Sequence, residues 1–185
     1  MVSEVNFFLP SYPNSPWWPM SWLADKLIDK MVRRKPLLYL DTSVFGGCFD
    51  KEFQAESNLL FEQIVQGLFE IVVSATTLRE LALAPEHVRA VIVPLSEASV
   101  FVEISPQVIE LRDAYIKAGI LGADSVGDAE HIAFATVAEA DMIVSWNFKH
   151  IVNFRKIKGF QGVNLQYGYK PIDIFSPKEV IYEKN

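Results

Sequence analysis

Asp41 follows the apolar run LLYL directly and precedes Thr42 and Ser43, so a short strand would deliver one carboxylate and two hydroxyls to its carboxyl end. Glu80 lies about one turn into the helix expected after the strand FEIVVSA, and Asp128 near the start of another, with His131 three residues on and on the same helical face. After the strand DMIVS come Trp146, Asn147, Phe148, Lys149 and His150, which add an amide, a cation and an imidazole at a further strand end. Ligands of open parallel sheets bind beyond the carboxyl ends of the strands, so these residues face one rim. Carboxylates gathered there suit a hard cation such as Mg²⁺ or Mn²⁺, which takes oxygen ligands and keeps waters. Such an ion can activate a water against a phosphodiester while neutralising charge in the transition state. The expected metal ligands are Asp41, Glu80 and Asp128; Asn147 coordinates or positions a water but brings no charge to neutralise the cation.

Taken singly, each residue has an ordinary reading. Asp41 or Ser43 suits a helix N-cap. Thr77 to Glu80 and Ser125 to Asp128 both match a capping box. Asp124, one turn before Asp128, competes for its role, and a lone His in a helix is more often a hydrogen-bonded structural residue than a ligand. Lys149 suits phosphate or plain solvation. What favours chemistry is convergence, since three separate segments each place a carboxylate near the same rim.

The positioning elements follow from periodicity. LLYL is a buried strand, and SNLLFEQIVQGL is an amphipathic helix closed near Gly67. FEIVVSA is a second strand, TTLRELAL a helix stopped by Pro85, and EHVRAVIVPL another helix. SVFVEI is a third strand before a helix from about Pro106 to Ala118, closed by Gly119 and Gly122. A helix from about Ser125 to Glu139, the strand DMIVSW and a sheet-edge strand PIDIFS complete the order. Strands alternating with helices give an α/β fold, a three-layer sandwich whose central, mostly parallel sheet is flanked by helices.

With 185 residues, 50% of them hydrophobic, the chain has material for one sizeable core. Residues 1–34 read as a Pro- and Trp-rich extension, with Leu23, Leu27, Ile28, Met31 and Val32 at helical spacing, and 35–185 as the domain. Trp17, Trp18 and Trp22 suit either a partner surface or the packing of that extension, and Met31 offers an alternative start of translation. The single Cys48 excludes an internal disulfide and a multi-thiolate zinc site, and suits a reducing, cytoplasmic setting. Every apolar run is far shorter than the roughly 20 residues that cross a bilayer, so no membrane partner is expected. A net charge of −6 speaks against a broad basic surface for nucleic acid. A carboxylate-held cation would reverse that logic locally.

The strings LYLDTSVFGG, LRELALAP and GDAEHIAFATVAEADMIVSWNFKHIVN, in this order, resemble the PIN-domain family over about Pro36 to Ser176. The resemblance implies a parallel sheet flanked by helices and a Mg²⁺- or Mn²⁺-binding acid cluster. Asp41, Glu80 and Asp128 would be its first three acids, with Thr42 and Ser43 at the hydroxyl positions beside the first. It further implies an endoribonuclease of the VapC-like kind, the toxin of a type II toxin–antitoxin module, with an RNA substrate, a small antitoxin protein as partner and a homodimeric assembly. Where many of the family carry a further Asp, this chain has Asn147, with His150 three residues later; SWNFKHI resembles a recurrent subgroup. That departure sustains an alternative, a non-catalytic PIN-like module that binds RNA or protein through a weakened metal site. A phosphotransfer enzyme with Asp41 as nucleophile fits less well, because LYLDTS lacks the second Asp two residues on.

Overall fold

Five short strands build one sheet in the order β3-β2-β1-β4-β5, from β1 (Leu37–Leu40), β2 (Glu70–Ser74), β3 (Ser99–Val102), β4 (Met142–Val144) and β5 (Asp173–Phe175). All four pairings are parallel, so the expected "mostly parallel" sheet is parallel throughout, with β5 at an edge as anticipated. The computed structural model describes residues 34–182, and Lys35–Asn185 forms one of two compact units of the chain. The Trp-rich start and the helical spacing expected between Leu23 and Val32 lie outside the described residues.

Alternation along the strands makes the layers. Leu38 and Leu40 of β1 enter one core with Ile71 and Val73 of β2, whereas Tyr39, Val72 and Ile143 enter the other. The first core packs on α1 (Thr42–Gly47) and α2 (Gln54–Val65), and takes Leu81 from α3 (Ala75–Leu83). The second packs on α5 (Pro106–Lys117), α6 (Val126–Val137) and α7 (Phe154–Gln166). Burial on both faces is why these strands read as apolar runs rather than as alternating patterns. The resulting α/β architecture is consistent with a PIN-like fold.

Two stretches depart from the sequence reading. EHVRAVIVPL is not one α-helix: α4 (Glu86–Arg89) passes into a 3₁₀ segment, Ala90–Ala98, that contains Pro94. Proline lacks the donor and crowds the carbonyl four residues back, so the tighter helix replaces the α form there. α7 stands where the sequence reading places no element between DMIVSW and PIDIFS, and a Cβ at its Gly159 would meet Ile120 at 3.0 Å, so this glycine lets α7 pack closely on the turn after α5. At Gly119, by contrast, φ is +70°, the left-handed conformation that ends a helix such as α5.

Candidate metal centre at the carboxyl end of the sheet

Strand β1 is central, with β2 on one side and β4 on the other, so the connections leaving the adjacent carboxyl ends of β1, towards β2, and of β4, towards β5, run in opposite directions and open a crevice there. Asp41 stands at that point. Its backbone N–H still donates to the Val144 carbonyl at 3.1 Å, which fixes it to the sheet, and its residue exposure is only 4%. It occupies the N-cap position of α1 but makes no side-chain cap bond. Its Oδ2 instead accepts from the hydroxyls of Ser43, at 2.5 Å, and of Ser145, at 2.7 Å.

Glu80 is likewise not a capping residue. The N-cap of α3 is Ser74, whose hydroxyl accepts from the Thr77 N–H at 3.1 Å, so the expected box from Thr77 to Glu80 starts three residues too late. Glu80 Oε2 accepts from the Thr42 hydroxyl at 2.6 Å and from His131 Nε2 at 3.1 Å. Burial alone would raise the Glu80 pKa, but the bond and charge of His131, the Thr42 hydroxyl and Arg79 bring it below its ordinary value. The same His131 Nε2 lies 3.4 Å from Asp41 Oδ1.

His131 is therefore the hydrogen-bonded residue that the sequence reading favoured, but its partners are two of the candidate acids. Its other nitrogen, Nδ1, is 2.7 Å from the Tyr39 hydroxyl, which also bonds Ser74 Oγ at 2.7 Å. Burial opposes charge on this imidazole, yet the Tyr39 oxygen and the Asp41 and Glu80 carboxylates around it outweigh that cost and raise its pKa well above the ordinary value. Tyr39 escaped the sequence reading, although a phenol in the otherwise aliphatic LLYL, pointing to the face opposite Leu38 and Leu40, was the available signal.

One donor atom each from Asp41, Glu80 and His131 lies within 4.8 Å of the others. Bonds of about 2.0–2.6 Å from one ion reach ligands spaced in this way. Among the described residues no Lys or Arg forms an ion pair with Asp41, Glu80 or Asp128, and the Asp41 and Glu80 carboxylates fit a divalent cation, which His131 Nε2 joins only as a neutral imidazole.

Asp128, expected as the third ligand, is not in that set of three. It lies in the first turn of α6, where Ser125 makes no side-chain cap bond, and its Oδ1 accepts from Asn147 Nδ2 at 2.7 Å. Burial raises its pKa; His150 offsets part of this and the Asp41 charge adds to it, so Asp128 borders the cluster electrostatically. Asn147 is itself oriented by the His150 N–H, which donates to its Oδ1 at 3.0 Å. Asp124 is exposed.

No known family profile matches the chain, and no curated protein does. Among solved structures, a chain of VapBC2 from Rickettsia felis, bound to a DNA fragment from its promoter, is similar at 14% identity and a TM-score of 0.49, over 76% of this chain and 98% of that one. The functional reading rests on this chain's own residues.

Proposed function

We propose that the chain is a divalent-metal-dependent endoribonuclease in which Asp41 and Glu80 hold Mg²⁺ or Mn²⁺, with Asp128 as the third acid and His131 beside them. The observation that carries this reading is the convergence of Asp41, Glu80 and His131 at the switch point of the parallel sheet, where among the described residues no Lys or Arg is paired to the two acids. The bound ion supplies charge neutralisation and lowers the pKa of a coordinated water. Ser43 and Ser145 turn the Asp41 carboxylate, leaving Oδ1 toward the cluster, and Thr42 turns Glu80. Asn147 holds one Asp128 oxygen, and the raised pKa of that carboxyl suits it to take a proton from the attacking water.

The test is incubation of purified protein with mixed cellular RNA, with and without Mn²⁺, beside Asp41→Ala and Asn147→Asp. Metal-dependent cuts lost in Asp41→Ala are expected; equal cutting by Asp41→Ala would overturn the assignment. A second reading, a non-catalytic PIN-like RNA- or protein-binding module, is favoured by the neutral Asn147 and by the His131 proton that already bridges Asp41 and Glu80. It requires silence from the parent with every RNA and metal.

The narrower reading, the toxin of a type II toxin–antitoxin pair, cytoplasmic, homodimeric and blocked by a small antitoxin, is supported by the sequence resemblance. Its expected outcome is growth arrest on induced expression in a bacterial host, absent with Asp41→Ala. Sedimentation of the purified chain measures the dimer.

A further inference from the structure

Past the candidate centre the chain changes character. From Met142 to Ile172 it carries Lys149, Arg155, Lys156, Lys158 and Lys170 and no Asp or Glu, in a protein with 17 basic and 23 acidic residues. This run includes the loop that delivers Asn147 and the whole of α7. Lys156 Nζ donates to His150 Nδ1 at 2.9 Å, and the His150 N–H holds Asn147, so the Lys156 ammonium flanks the Asp128 side of the site.

The same loop carries aromatic rings on the Asp41 side. The Trp146 N–H donates to Ser43 Oγ at 2.9 Å, and Ser43 in turn donates to Asp41. The indole stacks on Phe53, with centroids 4.4 Å apart and planes at 23°, and its Nε1 donates to Ser57 Oγ at 2.8 Å. A Cβ on Gly47 would lie 2.7 Å from that Nε1 and 2.5 Å from Ser57 Oγ, so only glycine lets the ring settle against α1. Phe148, 50% exposed, stands 6.0 Å from the Trp146 ring and 6.4 Å from Phe53. A locked pair of rings with a third open to solvent, two hydrogen bonds from the acid cluster and beside a cationic run, is the pairing of stacking surface and phosphate-attracting charge that single-stranded nucleic acid needs.

We propose that this face is a base-stacking subsite for unpaired RNA: a base lies on Phe148 and the Trp146–Phe53 pair, while Lys149 and Lys156 take flanking phosphates. The proposal rests on the ribonuclease reading and adds which form of RNA enters and which residues receive it. A duplex hides its base faces, whereas an unpaired strand offers them beside its phosphates.

The test is fluorescence anisotropy of the full-length chain with a fluorescein-labelled short single-stranded RNA and with the same sequence as a duplex, in EDTA so that no cleavage occurs. The single strand should bind more tightly. Phe148→Ala should weaken it by about tenfold, Phe148→Tyr should restore it, and neither should alter duplex binding. Lys156→Ala should lower the salt dependence of both by about one phosphate contact. The subsite is overturned if Phe148→Ala binds the single strand as tightly as the parent, if the duplex binds equally well, or if an acidic peptide binds this face and RNA does not. Cleavage with Mn²⁺ is scored separately: stacking-dependent binding without cleavage sinks the nuclease reading and keeps the subsite, whereas cleavage with Phe148-independent binding does the reverse.

Discussion

Glu130 and Asp128 lie two residues apart on α6, and their carboxyl groups have opposite surroundings. Glu130, 5% exposed, accepts from the Thr76 hydroxyl at 2.7 Å, from Arg79 Nη2 at 2.9 Å and from Arg112 Nη1 at 3.0 Å. Burial would raise its pKa, but these partners bring it below the ordinary value. Asp128 has an amide partner and the Asp41 charge nearby, and its pKa is raised. One carboxylate is neutralised by the chain itself and ties α3, α5 and α6 together. The other belongs to a cluster whose compensation must come from His131 or from an added cation, and that difference separates a structural acid from a candidate metal-binding one.

The largest effect should come from removing the acid that anchors the cluster. Mn²⁺ at about a hundred times its dissociation constant should stabilise the parent by about 2.7 kcal/mol, read as a rise in melting temperature. Asp41→Asn should abolish that rise, and an undiminished rise would break the contrast between the two acid clusters. At the other cluster, Glu130→Gln should cost about 2–3 kcal/mol in urea unfolding, because Arg112 is left without its buried counter-charge, while Mn²⁺ binding persists. The sign with pH follows from the lowered Glu130 pKa. Its stabilisation is present above the ordinary glutamate value of about 4.3 and is lost as pH falls through the lower folded value, so parent and variant should converge in acid.

A smaller effect is expected one bond behind the centre. Tyr39→Phe removes the hydroxyl that holds His131 Nδ1 and Ser74, and should weaken Mn²⁺ binding by about tenfold in calorimetry. Unchanged affinity would mean that packing alone fixes the imidazole. The smallest effect is a gain. Burying the charged Asp128 costs stability at neutral pH, so metal-free Asp128→Asn should unfold about 0.5–1 kcal/mol later than the parent. Because the folded pKa is raised, this gain should vanish as pH falls below the ordinary aspartate value of about 3.9, where both states are protonated. A loss of stability at neutral pH would show that the Asn147 bond outweighs the repulsion.

Much of this was legible in one dimension. Apolar runs of strand length separated by helical spacing determine a parallel sheet covered on both faces, and Asp41 after LLYL had to emerge at a strand's carboxyl end. The same local logic overextended the helix through Pro94 and passed over α7, where Gly159 makes room for Ile120. Periodicity cannot report which acid acquires a partner. Thr77 to Glu80 and Ser125 to Asp128 carry the same capping pattern as sequence, yet tertiary contacts gave Glu80 a histidine and a threonine from other elements and gave Asp128 an amide. Only the folded chain set Tyr39 behind His131, Arg112 beside Glu130 and Trp146 against Gly47, because those contacts join residues about 20 to 100 positions apart through strand order and helix packing. The amino-acid sequence by itself determined where acids reach the rim; the tertiary structure decided which of them are neutralised there.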